Sequence, residues 1–102
     1  MMQSFHPEAL EEYLGAVSYY ANISPRLGKS FIDAFELGLQ NIRIYPEAWQ
    51  IVSEDIRRHL IKRFPYGIYY CIEGNWITIY AVMHMSRHPD YWKNRIESKA
   101  PL

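Results

Sequence analysis

The stretch Gly67-Ile68-Tyr69-Tyr70-Cys71-Ile72-Glu73-Gly74-Asn75-Trp76-Ile77-Thr78-Ile79-Tyr80-Ala81-Val82-Met83-His84 decides the fold. Both halves are rich in β-branched and aromatic residues, the composition of strands. Gly74-Asn75 between them is the dipeptide of a tight two-residue hairpin turn. Side chains alternate across a strand. In the second half, Trp76, Thr78, Tyr80, Val82 and His84 therefore share one face, and Ile77, Ile79, Ala81 and Met83 the other. The purely aliphatic face is predicted to pack inward, leaving the face with Tyr80 and His84 partly open.

Upstream, Arg57–Phe64 reads as a further strand, although both of its alternating sets contain bases. Residues Glu47–Asp55 read as a loop. Before it the period is helical. Pro7 suits a first helical position, and Glu8, Glu11 and Glu12 suit the positive end of a helix. Leu10, Tyr13, Leu14, Val17, Tyr20 and Ala21 form an apolar stripe, so a helix is predicted over 7–21. Asn22–Pro25 is a break in which Ser24 is an N-cap and Pro25 opens a second helix. Leu27, Phe31, Ala34, Phe35, Gly38, Ile42 and Tyr45 give that helix its buried face, and Pro46 stops it. Gln3–Phe5 is a candidate edge strand. After Pro89, Asp90–Glu97 is predicted to form a final helical turn or two. The expected architecture is a single α+β domain over 1–102, an N-terminal helical hairpin packed on an antiparallel sheet.

The chain of 102 residues is 49% hydrophobic and 16% aromatic, enough for one modest core and too apolar for disorder. The lone cysteine, Cys71, excludes an internal disulfide and a multi-cysteine zinc site, and in an aromatic strand it reads as a buried, inert thiol. A reducing cytoplasm is the expected compartment. Met1–Glu12 has no basic region and no apolar run, so no signal peptide is expected, and no stretch is long and apolar enough to span a membrane. Net charge is zero but unevenly placed: residues 1–50 carry −3 and residues 51–102 carry +3. That asymmetry points to a contact with nucleic acid or an acidic protein through the C-terminal half, with a solvated sheet face as the alternative.

The residues also carry a family resemblance. Phe5-His6-Pro7-Glu8-Ala9 opens the chain, Tyr19-Tyr20 closes the first helix, and Leu27-Gly28 with Phe31 begins the second. Ile56-Arg57-Arg58 leads to Arg63-Phe64-Pro65-Tyr66 and Ile68-Tyr69-Tyr70. Ile77-Thr78-Ile79-Tyr80-Ala81-Val82 then runs into His84-Met85-Ser86-Arg87-His88-Pro89-Asp90-Tyr91-Trp92 and Arg95. From Phe5 to Arg95 the chain resembles the RelE/ParE toxin superfamily, in particular the plasmid-stabilisation group. The resemblance implies a helical hairpin against a curved antiparallel sheet. It also implies a cytoplasmic toxin of a type II toxin–antitoxin pair, hetero-oligomeric with a cognate antitoxin. Two activities occur in the superfamily: ParE-like inhibition of DNA gyrase, and RelE-like cleavage of mRNA in the ribosome. A fold-retaining module without toxicity is a third possibility.

Each activity asks for different residues. RNA cleavage needs a proton-transfer group and positive charge on the phosphate. On that reading His84, Arg87 and Tyr91 are the catalytic candidates, with Arg58 and Arg63 as further phosphate holders. The structural alternatives are a capping histidine, an Arg87 salt bridge and aromatics closing a core edge. Arg57, Arg58, Lys62 and Arg63 put four bases within seven residues, which repel unless something negative is near. With Trp92 they are the candidate target- or antitoxin-binding residues. His84 and His88 do not make a metal site, because His88 precedes a proline and is extended. No metal or other cofactor is expected. Neutral net charge departs from the strongly basic ribosome-directed relatives and favours the gyrase reading.

Overall fold

The computed structural model describes residues 2–87 and Arg95. Its elements run β1 (Met2–Phe5), α1 (Pro7–Ile23), α2 (Pro25–Ile44), β2 (Gln50–Ser53), β3 (Ile56–Leu60), β4 (Tyr66–Glu73) and β5 (Trp76–His84). The predicted final segment Asp90–Glu97 lies outside the described residues, Arg95 apart.

His6 caps α1, its ring nitrogen accepting from the Glu8 N–H at 3.2 Å. One residue, Ser24, ends α1 and begins α2. Its N–H donates to the Tyr20 carbonyl, and its hydroxyl accepts from Leu27 N–H at 3.0 Å. The predicted break thus shrinks to Ser24, and α1 continues two residues past Ala21. The helices are antiparallel: Tyr13 meets Phe35 (ring centroids 4.2 Å apart) and Tyr20 meets Phe31 (5.2 Å). Within the predicted α1 stripe, Leu10 and Leu14 stay exposed. Ala9 and Ala16 are buried instead, because small residues let the helix lie close to the sheet.

The sheet order is β1-β5-β4-β3-β2. Neighbours are antiparallel except β1, which pairs parallel with β5 from Met2↔Trp76 to Phe5↔Ile79. The sheet is therefore mixed rather than purely antiparallel, since β1 sits across the helices and three strands from its partner in the chain. The predicted edge strand and the predicted hairpin are both present, with Gly74 at φ 62° in the two-residue turn. One strand departs from expectation: Gln50–Ser53, inside the predicted loop, pairs with β3 as the other edge. A strand of four residues with little periodicity is set by its neighbour, not by its own pattern. The predicted strand Arg57–Phe64 ends at Leu60, and Arg63 turns the chain at φ 72°.

The predicted faces of β5 hold only in its first half. Tyr70 opposes Ile79 and Tyr69 opposes Ala81, so Tyr80 is an extra residue, a β-bulge. Ile77 and Ile79 face the helices. Tyr80 and Ala81 both fall in a second buried cluster with Ile56, Tyr69, Cys71 and Met83, while Val82 rejoins the helix-side core. The aliphatic set is split, and Tyr80, predicted partly open, is 2% exposed. The helix-side core joins Phe31, Phe35, Leu39 and Ile42 of α2 to Ile68, Tyr70, Ile77, Ile79 and Val82.

Two glycines give opposite expectations. A Cβ at Gly28 lies 2.8 Å from Ala21 Cβ and 2.9 Å from its Cα, whereas one at Gly15 meets nothing within 4 Å. Alanine gains up to about 1 kcal/mol over glycine inside a helix, but overpacking against backbone costs about 1–3 kcal/mol. Gly15→Ala is expected to stabilise the protein by about 0.5–1 kcal/mol and Gly28→Ala to destabilise it by about 1–2 kcal/mol, read by urea denaturation.

Candidate functional site

The loop after α2 is held by two side chains from the sheet. Tyr70 donates its hydroxyl to the Pro46 carbonyl at 2.6 Å. Burial pushes that hydroxyl up to about 12, with Arg57 pulling the other way. Arg57 donates to the Glu47 and Trp49 carbonyls at 2.9 and 2.8 Å. Pinned in this way, Trp49 lies against His59 with ring centroids 4.2 Å apart. His59 sits close under α2 because residue 38 is glycine: a Cβ there would be 3.2 Å from His59 Cδ2.

Between α2 and β3 these contacts leave a groove of about 520 Å³. Its walls are Ala34, Leu37 and Leu60, and its floor is Trp49 and His59. Arg58 and Lys62 contribute its positive charge, and no carboxylate lines it among the described residues. Arg58 is half-buried and donates to Gln50 Oε1 at 3.1 Å. Leu37 and Leu60 are about half exposed (47% and 51%) and stand beside the bases. Lys62 and Arg63 also line a smaller depression with Asp33 and Ser30.

A second depression, of about 270 Å³, opens at the far end of β5. It is lined by Glu12, Tyr19, Tyr66, Met83, His84 and Arg87 among others. His84 accepts at Nδ1 from the Ser86 N–H at 3.1 Å, with the Ser86 hydroxyl 2.8 Å away, and its ring stands edge-on to Tyr66. Burial holds the Tyr66 hydroxyl above its usual range. Tyr19 adds to the rise and Arg87 opposes it.

The fold thus sorts the sequence candidates into two places. His84 and Arg87 share the far depression, while Arg58 and Lys62 share the groove. Arg63 stands on the loop beside the groove, and Arg57 is turned to the loop carbonyls. Tyr91 and Trp92 lie outside the described residues. Sequence reasoning missed Trp49, His59, Leu37, Tyr19 and Glu12. Trp49 sat in an apparent loop, and it is brought to the groove by the Arg57 and Tyr70 tethers and by its own indole N–H, which donates to the Asn41 carbonyl at 3.5 Å. Among the described residues no cluster of histidine, cysteine and carboxylates could hold a metal ion, and no helix is long and apolar enough to cross a membrane.

Burial lowers the pKa of His59. The unfolded chain therefore takes up a proton near pH 6.5 that the folded chain resists. His59 contributes full stability above that value and loses it as pH falls toward the lower folded value. Thermal melts from pH 7.5 to 5 are expected to fall more steeply for the wild type than for His59→Gln. Parallel curves would mean that His59 is not the group responsible.

No curated protein sequence matches the chain. A solved structure described as the chromosomal ParDE TA system from P. aeruginosa shares the fold. It has a TM-score of 0.70 and 15% identity, covering 82% of this chain and 95% of that one. Residues 4–89 match the family model described as the ParE toxin of the type II toxin–antitoxin system parDE. With that match spanning most of the sequence, the chain belongs to the ParE toxin family of type II toxin–antitoxin systems.

Proposed function

We propose that this ParE-family toxin acts by binding proteins rather than by cutting RNA, with DNA gyrase as its target and an acidic antitoxin as its neutraliser in the cytoplasm. The observation that supports this is the setting of the bases at 57–63. Arg57 is committed to backbone carbonyls, and Arg58 and Lys62 line an apolar groove with an aromatic floor. Phosphate backbones are gripped chiefly by arrays of Lys and Arg. An apolar trough with charge at its edge suits an amphipathic helix, whose acidic side chains would pair with Arg58 and Lys62. Zero net charge fits the same reading, since a protein working amid ribosomal RNA gains from a strong positive charge.

On this reading His84 and Arg87 shape the end of the sheet, and His84→Ala leaves toxicity intact. Purified toxin is expected to block supercoiling by gyrase. A gyrase-free translation reaction is expected to run at full rate with its mRNA intact; discrete mRNA cuts there would overturn the reading in favour of a nuclease. The double variant R58E/K62E is expected to bind the antitoxin at least about tenfold more weakly, ~1.4 kcal/mol. Unchanged affinity in a titration would move the antitoxin off the groove.

A further inference from the structure

β1 accompanies β5 only as far as Ile79, where the His6 N–H closes the ladder on the Ile79 carbonyl at 2.8 Å. β5 runs on to His84, and past Ile79 no strand lies beside that edge among the described residues. A strand edge without a partner presents backbone donors and acceptors and is a template for another chain. Here two side chains meet those groups. Arg95 Nη1 donates to the Tyr80 carbonyl at 2.9 Å. Glu12 Oε1 accepts from the Val82 N–H at 3.1 Å.

The same two side chains form a bidentate pair, with Arg95 Nη1 and Nη2 on the two Glu12 oxygens at 2.8 and 2.9 Å. Glu8 adds an oxygen 2.9 Å from Arg95 Nε. The arginine side chain is 4% exposed. Such burial is tolerable because two carboxylates match the guanidinium charge. The pair therefore offers β5 a donor for Tyr80 O and an acceptor for Val82 N–H. A neighbouring strand's backbone would offer the same.

We propose that the Glu12–Arg95 pair is a plug standing in for a strand, and that the edge beneath it accepts the same edge of a second copy when the plug is removed. The edge is self-complementary. Antiparallel pairing about a two-fold axis at Val82 joins Val82 N–H of each copy to the Val82 carbonyl of the other, and the Tyr80 carbonyl of each to the His84 N–H of the other. The paired stretch is then Tyr80–His84, which lies past the end of β1 at Ile79.

Sedimentation and amide exchange on purified protein test this. The wild type is expected to be monomeric at tens of micromolar. Arg95→Ala and Glu12→Ala are each expected to dimerise there, with the Val82 amide still protected in the dimer. Glu12→Gln keeps the size and an oxygen but loses the charge. It is expected to exchange the Val82 amide roughly tenfold faster, with the Tyr70 amide in β4 unchanged as the control for global unfolding. A wild type already paired through this edge overturns the proposal. So do alanine variants that fold and stay monomeric. Should both alanine variants unfold, Glu12→Gln decides, and Val82 exchange equal to wild type overturns it.

Discussion

Opposite Tyr69 and Tyr70, β5 carries one residue more than β4, and the consequences of that extra residue, Tyr80, reach through the molecule. A bulge puts two successive side chains on the same side of a sheet. Tyr80 and Ala81 accordingly join the outer cluster, and Val82 returns to the helix-side core. Without the bulge, either Ile79 or Val82 would face the wrong way. β1 stops pairing at the residue just before it, so one end of the β5 edge is left to side chains.

Those side chains come from opposite ends of the sequence. Glu12 stands in the second turn of α1 and Arg95 lies beyond the last strand, yet both converge on the Tyr80–Val82 backbone. Their ion pair ties the C-terminal part of the chain to the first helix through a buried charge matched by carboxylates. The groove is built the same way at the other side of the sheet. Tyr70 and Arg57 reach from the sheet to the Pro46–Trp49 backbone, and Trp49 in turn supports His59. In both places a polar side chain fixes backbone that no regular ladder reaches.

This economy of polar groups bears on function. Arg57 reads from the sequence as a base available to a partner, but it is occupied within the fold, as are Arg95 and Glu12. Arg58 and Lys62 are what the groove offers outward, beside Leu37 and Leu60. A cluster of four bases in the sequence therefore becomes one arginine tied to backbone, two charges on the groove and Arg63 beside it.

The helical hairpin, its Ser24 joint, the Gly74-Asn75 turn and the edge position of the N-terminal strand were legible in the residues, because caps, turns and periodicity are local properties. The family resemblance was legible too, carried by short motifs from Phe5 to Arg95. The strand Gln50–Ser53 was not, since its conformation comes from pairing with β3. Nor was the inward face of β5 beyond Ile79, because a bulge is set by the partner strand and leaves no mark in the pattern of one. The division of the bases into structural and outward-facing ones was equally hidden, as it depends on which carbonyls the folded loop brings within reach. The sequence by itself determined the two helices, the central hairpin and their turns through local backbone preferences. Only the tertiary structure decided register, parallel pairing and the partners of each charge, because those depend on groups far apart in the chain that meet only when it folds.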